Sequence, residues 1–89
     1  MMFYRSVNIM IRRDLTPADI GDIVRTTRKA AGLRQDELAG AAAVGLRFIV
    51  DLEAGKPTAQ LGKALQVLAA LGCSLDITPP PGAESARKA

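Results

Sequence analysis

Three glycines, at positions 32, 55 and 72, each follow a stretch in which apolar residues recur every three or four positions. This period predicts amphipathic helices, and a glycine directly after one supplies the left-handed residue that often ends a helix. The chain has 89 residues and is 48% apolar, but only three residues are aromatic, so its core must be built from small aliphatic side chains. Close-packed helices suit such a core. The sequence therefore predicts one all-α domain of four to five helices.

Capping signals locate the helix ends. Thr16 can cap the first helix, Pro17 suits its first turn, and Asp19 stands where a capping box needs an acid. Thr58 is the predicted cap of the fourth helix, whose apolar face is expected to include Leu61, Leu65, Leu68 and Leu71. The second and third helices are predicted over residues 35–42 and 46–53.

The two ends of the chain lack the helical periodicity of the middle. Residues 1–15 form an N-terminal extension with only a possible short strand, and residues 79–89 are predicted to be a disordered tail. Alternating apolar residues predict a short C-terminal β-strand over residues 73–78. Because a lone strand would expose unpaired backbone groups, we expect it to join two copies of the chain. The predicted dimerisation residues are Cys73, Ser74, Leu75, Asp76, Ile77 and Thr78.

The composition argues against several classes of protein. The chain has no histidine and a single cysteine, which removes disulfide frameworks, zinc cages and histidine-based catalysis. It shows no glycine-rich phosphate loop and no plausible pair of catalytic acids, so we expect neither an enzyme, nor a cofactor, nor a metal site. No stretch approaches the ~20 apolar residues of a membrane span. We therefore expect a cytoplasmic, nucleoid-associated protein with no membrane partner.

The net charge of +3 is confined to one half of the chain. Eight basic and five acidic residues precede position 48, whereas four of each follow it. Such a surplus favours a polyanionic partner, because cations that neutralise phosphates release counterions on binding.

Two helices of about eight residues, separated by a short apolar turn and braced by a helix on either side, suggest a helix-turn-helix unit. The segments GLRQDELA (32–39) and VGLRFIVDLEAGK (44–56) resemble the Xre/Cro-type, lambda-repressor-like domain. The extension KPTAQLGKALQVLAALG (56–72) resembles its HipB-like antitoxin branch. The resemblance spans roughly residues 16–77 and places the DNA-binding domain at residues 16–72.

The resemblance implies a sequence-specific repressor that binds a palindromic operator in double-stranded DNA as a homodimer. The HipB-like branch further implies the antitoxin of a type II toxin–antitoxin pair, which regulates its own operon and binds a HipA-like kinase toxin. Two alternatives remain open. One is a stand-alone, phage-like repressor. The other is a helical module that binds only protein, which the small number of polar residues on the third helix favours.

The third helix would enter the major groove. Arg47 could contact guanine with two hydrogen bonds, and Asp51 could accept one from cytosine, although a carboxylate near phosphates needs a partner to hold it. The predicted base-reading residues are Leu46, Arg47, Val50 and Asp51. The predicted phosphate-binding residues are Arg34, Gln35, Gly45 and Lys56.

The resemblance also implies a structural ion pair between Arg28 and Glu53, which would link the first helix to the end of the third. Three positions depart from the family pattern. Arg34 and Gly45 stand where hydroxyl caps are usual, and Ala43 stands where glycine is common. If Ala43 is left-handed, its conformation costs about 1 kcal/mol.

Overall fold

The computed structural model describes residues 14–83, and within that range it contains four α-helices and no strand. They are α1 (Pro17–Ala30), α2 (Gln35–Ala42), α3 (Leu46–Glu53) and α4 (Leu61–Ala70). The predicted all-α class is confirmed. No helix among these residues is long and apolar enough to cross a membrane. The division of the whole chain into four segments stays a prediction.

The start of α1 carries the capping box that the sequence predicts. The Thr16 hydroxyl accepts a hydrogen bond from the Asp19 N–H at 3.2 Å, and the Asp19 carboxylate accepts one from the Thr16 N–H at 2.9 Å. At the start of α2 only half of such a box is present. There the Glu37 carboxylate accepts the Arg34 N–H at 2.8 Å, while an arginine side chain has no oxygen to offer in return.

The predicted start of α4 is wrong by two residues, about half a helical turn. The helix is capped at Gln60, not at Thr58. Pro57 and Thr58 instead lie inside a turn, which the hydrogen bond from the Ala59 N–H to the Lys56 C=O closes at 3.3 Å. Proline suits the second position of such a turn, and this local preference outweighs the capping tendency of the threonine that follows it.

The predicted C-terminal strand is not formed within the described part of the chain. Residues 73–78 have no regular secondary structure, because none of residues 14–83 pairs with them as a strand. The Cys73 N–H instead donates to the Leu68 C=O at 2.9 Å and closes α4. Of the predicted tail, residues 81 and 82 lie in a turn, which the hydrogen bond from the Ala83 N–H to the Pro80 C=O closes at 3.1 Å. Residues 1–13 and 84–89, and with them the predicted N-terminal strand, lie outside the described residues.

The turn between α2 and α3 depends on a left-handed alanine. Ala43 has φ 58° and ψ 42°, and the next N–H, of Val44, returns to the Ala39 C=O at 3.0 Å. Such a conformation costs about 1 kcal/mol for a residue other than glycine. The hydrogen bond and the packing of Val44 against the core keep this turn in place.

The core lies where α3 meets α1 and α2, and α4 packs against α2 and contributes to the same core. At Gly21 α1 lies directly against the backbone of α3, since a Cβ there would overlap the Leu52 carbonyl oxygen and lie 2.8 Å from that of Glu53. This contact fixes the position of α3 on the domain. The buried core consists of Val24, Leu38, Ala39, Ala42, Ile49, Leu52, Ala64, Val67 and Leu68.

Candidate nucleic-acid interface

Helix α3 has one buried and one exposed side, as its sequence predicts. Ile49 is fully buried and Leu52 is 4% exposed, so both anchor the helix in the core. On the other side Leu46 is about half exposed and Arg47 is almost fully exposed, while Val50 is half-buried. The exposed side of α3 therefore presents one long cation beside mainly aliphatic neighbours.

A buried network holds α3 against the other helices. Arg28 reaches from α1 to both carboxylate oxygens of Glu53, at 2.6 Å and 3.0 Å, and its third nitrogen group donates to the Leu33 C=O at 2.8 Å. The Arg28 and Glu53 side chains are only 10% and 5% exposed. The structure thus brings the predicted ion pair together. Through Arg28, the network also joins the end of α3 to Leu33 in the loop before α2.

The same network takes up Gln35, which the sequence assigned to phosphate binding. Its side-chain amide donates to Glu53 at 3.2 Å. Sequence reasoning did not predict this third member, because residues 18 positions apart meet only through the tertiary fold. Gln35 can turn toward a phosphate only by leaving Glu53 or by using its remaining amide proton.

The network shifts the pKa values of both Glu53 and Arg28. Burial by itself raises the pKa of Glu53, but the hydrogen bonds from Arg28 and Gln35 and the charge of Arg28 outweigh it, so this pKa lies below its usual value. The hydrogen bond to Glu53 raises the pKa of Arg28. Both groups stay ionised at neutral pH, and the pair is a fixed charged link in the scaffold.

The N-terminus of α2 is more crowded with charge than the sequence alone indicates. The Arg34 guanidinium pairs with Asp36 at 3.0 Å and with Glu37 at 3.6 Å, and these bonds raise its pKa and lower that of Asp36. The Arg34 side chain nevertheless remains 72% exposed. An incoming phosphate would compete with these two carboxylates for Arg34.

A second charged cluster lies at the C-terminal end of α3. The two oxygens of Asp51 face two different cations, Arg47 Nε at 3.2 Å and Lys56 Nζ at 3.5 Å. The predicted base reader Asp51 therefore has the partners that a carboxylate near phosphates requires. We call these three residues the Asp51 cluster.

Gly45 caps α3 through its backbone alone. It has φ −74° and makes no side-chain hydrogen bond, and the space around its missing Cβ is open. A hydroxyl side chain would fit here. The exposed backbone N–H groups at this helix start are the donors that remain for a phosphate.

The predicted dimerisation segment lies beside an apolar groove that the sequence did not predict. Leu75 and Ile77 are 41% and 83% exposed, while Cys73 is half-buried against the core. Leu61 and Leu65 are 69% and 42% exposed. The prediction that they lie on the buried face of α4 is therefore wrong. The groove measures about 210 Å³, and its lining includes Leu15, Ile20, Leu61, Leu65, Leu68 and Leu75.

Two short helices joined by a tight turn, with the second helix exposed on one side and anchored from behind, define the class of helix-turn-helix DNA-binding domains. The family comparison agrees, since the helix-turn-helix family matches residues 24–77. The chain belongs to this family and is of the Xre/Cro type.

One relative is similar over most of both chains. The uncharacterized HTH-type transcriptional regulator y4mF of Sinorhizobium fredii is 72% identical over 71 residues, which are 80% of this chain and 93% of the relative. Among solved structures, a HipB–O4 20mer complex and a HipA–HipB–O2–O3 complex each match with a TM-score of 0.68. In both cases the match covers 78% of this chain and 97% of the other, at 19% identity. The fold is thus that of HipB, as the sequence resemblance implied.

Proposed function

We propose that the chain is a sequence-specific repressor that binds double-stranded DNA through α3. The observation that carries this proposal is the exposed side of α3, where Arg47 projects from a helix fixed by the buried Arg28–Glu53 pair. A rigid helix with an exposed arginine can place two parallel N–H donors against guanine in the major groove. The name of the y4mF relative, a transcriptional regulator, supports the same role.

The contacts to phosphate are proposed from Arg34, Gln35, Lys56 and the N–H groups after Gly45. Arg34 and Lys56 are 72% and 51% exposed and can reach a polyanion. Of the base-reading set, Arg47 is the main candidate, and Leu46 and Val50 are proposed for apolar contact with thymine methyl groups.

We expect binding to weaken steeply with salt, because contacts to phosphates release counterions. The test is a gel shift of the full chain with the DNA immediately upstream of its own gene, titrated at several salt concentrations. Arg34 and Lys56 from each of two chains would neutralise four phosphates, and four such contacts predict a slope of log K against log salt of about −4. A scrambled duplex of the same length is the control. Affinity that does not change between low and high salt would contradict the proposal.

The proposed working form is a homodimer on a palindromic operator, joined through residues 73–78. Its support is the exposed apolar surface of this segment, where Ile77 is 83% exposed and Leu75 is 41% exposed in one chain. A second copy would cover them, and backbone pairing between the two segments would satisfy their exposed N–H and C=O groups.

Truncation tests this interface directly. A chain ending at Gly72 should be monomeric by light scattering and bind the operator less tightly, because two half-sites then bind independently. A chain ending at Thr78, which loses only the predicted tail, is the matched control and should stay dimeric. A dimeric chain with full operator affinity after truncation at Gly72 would show that this segment does not join the subunits.

We further propose that the repressor is the antitoxin of a toxin–antitoxin pair, regulates its own operon and binds a HipA-like kinase toxin. The support is the shared fold with HipB, which occurs in a HipA–HipB–O2–O3 complex. A neighbouring gene for a kinase-like protein would favour this role over the stand-alone repressor. The mainly aliphatic side of α3 favours the protein-only module as second candidate, and absence of DNA binding in the gel shift would select it.

A further inference from the structure

Asp51 is an acidic side chain in the middle of a surface proposed to face DNA. It is 23% exposed, whereas its partners Arg47 and Lys56 are 85% and 51% exposed. A carboxylate here repels phosphates and neutralises part of the charge that would attract them. General affinity for DNA would therefore be higher without it, and its presence calls for a physical reason.

The backbone keeps the Asp51 cluster together. Arg47 and Asp51 are one helical turn apart, the spacing at which side chains on a helix meet. Gly55, with φ 84°, turns the chain back at the end of α3, and the Lys56 N–H donates to the Asp51 C=O at 3.0 Å. The helix itself thus brings Arg47 to Asp51, and the turn that ends the helix brings Lys56.

The cluster directs the guanidinium of Arg47. The contact between Asp51 and Arg47 is to Nε, at 3.2 Å, and the Arg47 side chain is 85% exposed, so most of its guanidinium stays accessible. The two terminal nitrogens of the guanidinium are the donors that can contact guanine O6 and N7 together. A free arginine side chain would instead sample many directions and reach any nearby phosphate.

Resting on the proposed function, we propose that Asp51 is a positioning residue that directs Arg47 toward a base and so raises sequence discrimination at the expense of general DNA affinity. The test starts with the wild-type full chain and a pool of random 30-base-pair duplexes. Selection from this pool gives a preferred sequence. Affinity is then measured for that duplex and for a scrambled one.

Asp51→Asn keeps the shape of the side chain and removes its charge. We expect its affinity for the scrambled duplex to rise about two- to fivefold. The variant loses the repulsion between Asp51 and the phosphates, and interactions between exposed charges have about this size. We expect the ratio of preferred to scrambled affinity to fall about fivefold or more, as for a lost guanine contact. Asp22→Asn, which makes the same charge change at an exposed position of α1, should leave this ratio unchanged.

Two further variants separate positioning from other roles. Asp51→Glu keeps the charge but displaces the carboxylate, so the ratio should fall while affinity for scrambled DNA stays near that of the wild type. In an Arg47→Ala background, Asp51→Asn should change base preference no further. An unchanged ratio in Asp51→Asn, or loss of a cytosine preference with the guanine preference kept, would overturn the inference. A wild-type chain that prefers no duplex would instead overturn the proposed function itself.

Discussion

Gly21→Ala is expected to lower the free energy of unfolding by about 3 kcal/mol, near the upper end of the usual cost of overpacking a core. The new methyl group would overlap the Leu52 carbonyl oxygen and lie 2.8 Å from that of Glu53. Neither oxygen can rotate away as a flexible side chain would, so α1 and α3 must move apart. Small domains have a total stability of only about 5–15 kcal/mol, so the loss is severe. Urea unfolding followed by circular dichroism measures it.

Gly40→Ala is the matched control. Gly40 lies within α2, and no atom stands within 4 Å of its missing Cβ. The same substitution should therefore raise stability by about 0.5–1 kcal/mol, because glycine is the poorer helix former. If both variants were more stable than the wild type, the close contact of α1 with α3 would be refuted.

The helices are predictable where the signal is local. The capping box of Thr16 and Asp19 and the bounds of α2 and α3 follow from sequence, because capping and periodicity act within one or two turns. The start of α4 is not predictable from Thr58 alone, since the preceding proline draws this threonine into a turn. Local signals that compete give the wrong boundary.

The candidate site is predictable only in part. The pairing of Arg28 with Glu53 follows from family resemblance, but the capture of Gln35 by Glu53 depends on how α2 meets α3. The exposure of Leu61 and Leu65 likewise depends on which helices cover α4. Periodicity identifies an apolar face, but it does not show how much of that face finds a partner within the chain. The residue roles proposed for DNA contact therefore stay predictions.

The second large effect is expected from breaking the buried ion pair. Arg28→Met removes the cation and leaves the Glu53 carboxylate, 5% exposed, with Gln35 as its remaining hydrogen-bond donor among the described side chains. Uncompensated buried charges cost about 3–5 kcal/mol. We expect the free energy of unfolding to fall by that amount in urea, measured at fixed protein concentration so that any dimer contributes equally. Arg34→Met breaks a pair whose arginine is 72% exposed, and should change stability far less than Arg28→Met does, because solvent screens an exposed pair.

The double variant Arg28→Met with Glu53→Met tests the cause. It removes both charges, so it should recover most of the stability lost by Arg28→Met, because an apolar pair needs no compensating partner. The lowered pKa of Glu53 adds a second signature. In the wild type the stabilisation is present above the unfolded-state pKa of about 4.5, and it is lost as the pH falls through the lower pKa of the folded state. The double variant should therefore lose less stability below pH 4.5. A double variant as unstable as Arg28→Met would show that lost packing, not the unpaired charge, causes the effect.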